Sequence, residues 1–238
     1  MKTPGFSILY EEGPCLVVSK PSGVLTQAPP GIDSLESRIK TFLIERDQKP
    51  GRAYLGVPHR LDRPVSGVMV FAKHIRACRR IAEQFEGRIV EKTYWAVVEG
   101  IVQDEKGTWS DKIRKIPGQA HSEIVPPDHP EGRSATLHFR VLSRLGRRTV
   151  LEIQLETGRT HQIRVQAAER GFPILGDFQY GANDCFGEPT TSPRDRWIAL
   201  HSQSISLRHP MTRERIVVSA PVSEPWQPFL LNVAVDNP

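Results

Sequence analysis

Apolar and polar positions alternate in short runs near both ends of the chain and recur at helical spacing between them. Residues 6–10 and 15–19 are β-prone runs split by Glu11-Glu12-Gly13-Pro14, which reads as strand, turn, strand. Lys20-Pro21-Ser22-Gly23 then breaks the pattern. Leu35, Ile39, Phe42 and Leu43 recur behind Asp33-Ser34, a pair suited to an N-cap, and predict a helix ending near Asp47. Residues 68–72 form a nearly continuous apolar run, as in a buried strand. Cys78, Ile81, Ala82 and Phe85 mark the stripe of a second helix, stopped by Gly87. Residues 93–98 alternate, with Tyr94, Ala96 and Val98 on one face and Trp95 and Val97 on the other. From 100 to 134 the pattern is lost among Pro117-Gly118 and Pro126-Pro127, and so long a connection is expected to be functional or mobile. Leu137, Phe139 and Val141 alternate again, as do Thr149, Leu151, Ile153 and Leu155, around a basic turn at 144–148. A helix is predicted from about 160 to 170 with Gly171 as its stop, then a polar loop over 177–196. Residues 198–207 and 215–218 read as late strands. Strands outnumber helices without regular β-α alternation, so the fold class is α+β.

Composition narrows this picture. At 238 residues, 38% hydrophobic and 25% charged, the chain can bury a sizeable core, and a single domain over 1–238 is expected. Lys and Arg (32) exceed Asp and Glu (27), giving +5 and a pI near 9.3. That balance favours a polyanionic partner, because neutralised phosphates release counterions, although many soluble proteins carry such a charge for solubility alone. Cys15, Cys78 and Cys185 are far apart, with no C-x-x-C spacing. A disulfide framework or a cysteine zinc site is therefore not expected, and a reducing compartment is. No 18-residue apolar run and no signal-peptide pattern occur, so cytoplasm is expected and a membrane partner is not.

Two polar clusters stand at predicted element ends, where scaffolds present working groups. The first runs His59-Arg60-Leu61-Asp62-Arg63-Pro64-Val65-Ser66-Gly67, before a buried strand. The second runs Thr157-Gly158-Arg159-Thr160-His161-Gln162-Ile163-Arg164, at a strand-to-helix junction. Asp62 between two arginines should stay ionised, and Arg159, if it reaches the carboxylate, would orient it in a bidentate pair. A turn-capping aspartate and an ordinary ion pair are the competing reading for either segment alone. His59, His161 and Asp62 lack the close spacing of a metal set such as H-E-x-x-H, so no metal is assigned. A kinase-like His-Arg-Asp loop is excluded, since no G-x-G-x-x-G precedes it and Gly176-Asp177-Phe178 is not D-F-G.

Residues 58–73, PHRLDRPVSGVMVFAK, resemble the signature segment of RluA-type pseudouridine synthases. Lys20-Pro21-Ser22-Gly23 is similar to that family's K-P-x-G turn, and Glu91-Lys92-Thr93-Tyr94 to its K-x-Y strand. Residues 157–164 resemble its T-G-R-x-H-Q-I-R block, followed by Leu175-Gly176-Asp177 and Tyr180-Gly181. Leu200-His201 and His209-Pro210 resemble its closing strands, so the likeness spans about 8–221, in the family's order.

The resemblance implies a pseudouridine synthase fold: a mixed, mostly antiparallel central sheet flanked by helices and loops, with an active-site cleft across it. It implies an isomerase of ribosomal or transfer RNA that needs no cofactor. Asp62 matches the catalytic aspartate, Tyr94 the aromatic residue that stacks on the target uracil, and Arg159 the arginine that pairs with the carboxylate. Arg60, His59 and Arg164 are placed on the RNA, and Leu200 in the uracil pocket. Val65 stands where the family commonly has threonine, which removes one hydroxyl. Asp62 either attacks C1′ or removes the 2′ proton to give a glycal, the second route being preferred. Many relatives carry an N-terminal S4 module, whereas this chain opens on the catalytic region and is expected to act as a stand-alone monomer. The stretches 100–134 and 177–196, with Lys112, Arg114, Lys115 and Arg194, are candidate RNA contacts or else solvated inserts. An inactive RNA-binding protein of the same fold is the alternative function, and a metal-dependent hydrolase a third.

Overall fold

The computed structural model describes residues 5–48 and 50–231. Its elements begin with β1 (Ser7–Glu12), β2 (Cys15–Lys20), α1 (Leu35–Arg46), β3 (Ser66–Ala72), α2 (Ile75–Glu86) and β4 (Glu91–Glu99). They continue with β5 (Lys106–Lys115), β6 (Ser122–Val125), β7 (Arg133–Leu145) and β8 (Arg148–Leu155). Then come α3 (Gln162–Glu169), β9 (Leu200–Arg208), β10 (Arg215–Ser219) and the one-turn α4 (Gln227–Leu230). The class is α+β, with strand pairs such as β1–β2, β2–β3, β4–β8 and β7–β8 antiparallel. The chain divides into two compact units, Met1–Lys92 with Ser202–Pro221, and Thr93–His201 with Val222–Pro238.

In the first unit the strand order is β1-β2-β3-β9-β10. β3 is buried along its whole length, and its neighbour β2 is buried at all positions but Ser19. Such strands need apolar side chains on both faces, which is why 68–72 reads as an unbroken run. Cys15, Val17, Val68 and Val70 share one core with Ala77 and Ile81 of α2 and Ile205 and Leu207 of β9. Cys78 and Phe85 pack against its edge. α1 opens with a capping box between Ser34 and Ser37 and buries Leu35, Ile39 and Leu43, the predicted stripe less Phe42. Gly67, at φ 118°, lets β3 pass β9: a Cβ there would stand 2.6 Å from the Ser202 nitrogen.

In the second unit the order is β4-β8-β7-β5-β6. Two of these strands, β5 and β6, correct the expectation for 100–134, which is not a patternless connection but carries paired strands between its loops. β5 pairs with β7 from Lys106↔Arg140 to Ile113↔Arg133, and with β6 from Lys112↔Val125 to Lys115↔Ser122. Its alternation is hidden because only Trp109 and Ile113 are fully buried, while Lys106, Thr108 and Ser110 face solvent. α3 begins at Gln162, two residues later than predicted, because His161 before it sits at φ 55°, a left-handed conformation. Val165 of α3 packs with Ile113, Ala135 and Tyr180.

Candidate active site

The predicted residues fall into two groups. His59, Arg60 and Asp62 lie in the first unit, and Tyr94, Arg159, Arg164 and Leu200 in the second.

In the first unit, Asp62 opens a β-turn closed by the Val65 N–H on the Asp62 carbonyl at 3.1 Å. Aspartate is favoured at that position of a turn. The turn is gripped from both ends. Thr26 Oγ1 donates to the Leu61 carbonyl at 2.8 Å and accepts from the Leu61 N–H at 3.2 Å. Leu25 and Thr26 in turn receive the first N–H groups of α1, those of Leu35 and Glu36. On the far side Gly23 N–H donates to the Arg63 carbonyl at 2.9 Å. Lys20, fully buried at the end of β2, donates to the carbonyls of Pro21, Arg63 and Val65 at 2.9, 3.1 and 2.7 Å. Burial pushes the Lys20 ammonium down to about 7, the Asp62 charge opposing the shift and the Arg63 charge adding to it. The Asp62 side chain is half-buried, so it is both held and reachable; Arg60 is exposed. The sequence carries no signal for Thr26, a lone threonine whose partner is thirty-five residues away.

His59, expected at the RNA, is half-buried and has its ring engaged by the protein. Its Nε2 accepts the Val70 N–H at 2.9 Å, and its ring stacks on Phe85 with centroids 4.6 Å apart. Burial, helped by the Lys92 charge, pushes its pKa to about 3, so the ring is neutral and offers phosphate no charge. It pins the segment before Asp62 to β3.

In the second unit the Arg159 segment is held by Gln162. Its Oε1 accepts from Thr157 Oγ1 at 2.8 Å and from the Arg159 N–H at 3.0 Å, while Nε2 donates to the Thr136 carbonyl of β7 at 3.1 Å. Arg159 itself is exposed, its Nε donating to the Ser134 carbonyl at 3.0 Å. Tyr94 on β4 is 8% exposed and Leu200 at the start of β9 is 4% exposed.

Arg164 also departs from expectation. It is 3% exposed and forms a bidentate pair with Asp177, at 2.6 and 2.8 Å. It also donates to Gln179 Oε1 at 2.9 Å, and its guanidinium lies 4.9 Å from the Tyr180 ring centre. Tyr180 Oη accepts the Ser122 N–H at 2.9 Å and meets His161 Nδ1 at 2.8 Å. The Gly-Asp…Tyr-Gly block thus fastens α3 to β6, and Arg164 is part of that fastening. Gly176, at φ 87°, is required there, since a Cβ would sit 2.5 Å from the Trp197 carbonyl oxygen. Among the described residues, no three of His, Cys, Asp or Glu gather as a metal set would. No described helix is long and apolar enough to cross a membrane.

Residues 14–169 match the family model of RNA pseudouridylate synthase. The chain belongs to this family. The synthase is 35% identical over 240 residues to ribosomal large subunit pseudouridine synthase D of Xanthomonas campestris, covering 97% of this chain and 70% of that one. It is 32% identical over 236 residues to an uncharacterised RNA pseudouridine synthase of Synechocystis, covering 94% and 68%. It is 31% identical over 223 residues to ribosomal large subunit pseudouridine synthase C of Buchnera aphidicola, covering 94% and 69%. The fold matches that of human RNA pseudouridylate synthase domain containing 4, with a TM-score of 0.76 at 21% identity over 94% of this chain and 91% of that one. The synthase is therefore an isomerase that acts on RNA.

Proposed function

We propose that the synthase converts a uridine of ribosomal RNA to pseudouridine in the cytoplasm, with Asp62 as the catalytic carboxylate. The observation that carries this reading is the turn at Asp62, whose backbone is fastened by Thr26, Gly23 and Lys20 while the residue is only half-buried. Two relatives named as ribosomal large subunit synthases support the choice of RNA.

The N1–C1′ bond of uridine breaks, the freed uracil turns, and C5 bonds to C1′; the C5 proton leaves and N1 gains one. The change is redox-neutral and balances within the nucleotide and water. In the preferred route Asp62 takes the 2′ proton as N1 departs, giving a glycal, and returns it as C5 adds. A target base must first leave its stack, which needs a flat apolar partner and cations for the distorted backbone. We assign the first role to Tyr94, with Leu200 beside the base, and the second to the exposed Arg60. Arg159 is assigned the orientation of the carboxylate through its two-pronged guanidinium.

Tritium release from ribosomal RNA labelled at uracil C5 tests the reading. Wild-type protein should release tritium equally with and without EDTA. Asp62→Asn, which keeps the shape and removes the charge, should lower release at least about 1000-fold. Residual activity within about tenfold of wild type would remove Asp62 from the chemistry. Binding without any release by the wild type would favour the RNA-binding alternative.

A further inference from the structure

Lysine is almost never fully buried unless paired, because stripping water from its ammonium is costly. Lys20 is 0% exposed, and its Nζ has the Pro21, Arg63 and Val65 carbonyls within 3.1 Å. Three acceptors match the three protons of an ammonium. Two of those carbonyls lie in the turn that opens at Asp62, and neither belongs to a strand pair. A neutral amine has only two protons to offer, so one of the three contacts would be lost. The Arg63 carbonyl keeps the Gly23 N–H as a second donor, whereas the buried contact to Val65 rests on Lys20. The reaction described above does not use Lys20.

We propose that Lys20 is a positioning residue for Asp62: its ammonium holds the Arg63 and Val65 carbonyls and so fixes the turn that presents the carboxylate. This rests on the assignment of Asp62 as the catalytic group. The charged neighbours of Lys20 are Asp62, which favours its proton, and Arg63, which disfavours it. Burial, joined by the Arg63 charge, outweighs Asp62 and places proton loss near neutrality. Turnover should therefore fall on the alkaline side while RNA affinity stays constant.

Lys20→Met keeps the length and apolarity of the side chain and removes its donors. It should lower kcat for tritium release from C5-labelled ribosomal RNA about 10- to 100-fold, with KM changed by less than about threefold. It should also abolish the alkaline limb that wild type shows between about pH 7 and 9. Deuterium uptake by the segment 62–67 should rise at least about tenfold, with β7 and β8 unchanged. Unchanged uptake, or a kcat within about twofold of wild type, would overturn the proposal. Should the variant fail to fold, the wild-type profile decides: a kcat flat from about pH 6.5 to 9 overturns it, and a decline centred near neutrality supports it. A wild type that releases no tritium at all would sink the reaction assignment instead, leaving deuterium uptake to decide the clamp.

Discussion

At position 59 an imidazole accepts one backbone N–H and lies flat on a phenylalanine ring, an arrangement that only its neutral form satisfies. Its folded pKa, pushed to about 3, lies below the ordinary histidine value near 6.5, so below that value the unfolded chain binds the extra proton and is favoured. The stability contributed by neutral His59 is fully present above about pH 6.5 and is lost on acidification toward pH 3, at up to about 1.4 kcal/mol per pH unit. Between pH 7 and 5 the wild type should therefore lose about 2 kcal/mol in urea unfolding, and His59→Gln, which keeps an acceptor for Val70, much less. Equal losses in both proteins would place the acid sensitivity elsewhere. The contrast with Asp62 is instructive. The local motif singles out Asp62 because its arginine neighbours adjoin it in the chain, whereas the fate of His59 is decided by Phe85 and Val70, which only folding brings to it.

The strands with apolar runs and the first helix were legible, since β2, β3, β7, β8 and α1 bury most of the residues whose spacing announces them. Of the stripe read for α2, only Ile81 is buried, and Cys78, Ala82 and Phe85 lie at the edge. β5 and β6 were not legible, because a strand that buries only Trp109 and Ile113 in ten residues leaves too little alternation to read. The same limit misplaced Arg164. A cation in a basic motif reads as directed at RNA until Asp177, thirteen residues on, is seen to close on it. That pair anchors α3, so its loss should appear in stability. Asp177→Ala would strand a guanidinium that is 3% exposed, and unfolding free energy should fall by about 3–5 kcal/mol. Replacing both partners, with Arg164→Met and Asp177→Leu, should cost less than about 2 kcal/mol. Urea titrations of the three proteins check this, and a double variant as weak as the single one would deny the pair its role.

For the whole molecule, charge is the property that composition conveys most directly and places least well. The excess of five positive charges does not say which arginines meet RNA, and two of the three residues expected at the RNA, His59 and Arg164, make hydrogen bonds within the protein. Affinity for ribosomal RNA should nonetheless fall with salt, with a slope of log K against log salt on the order of −3, equivalent to about four phosphates of a single strand. Filter binding at several salt concentrations measures it. A slope near zero would detach RNA binding from the basic character of the chain.

The grip on the Asp62 turn is made through main-chain oxygens, those of Leu61, Arg63 and Val65. Every amino acid supplies that oxygen, so the anchor is indifferent to the side chains it holds. Positions 63 to 65 are thereby released from the duty of placing the carboxylate, and valine can stand at 65 without disturbing it. The reacting group is thus kept in place by the path of the chain and not by the identity of its neighbours.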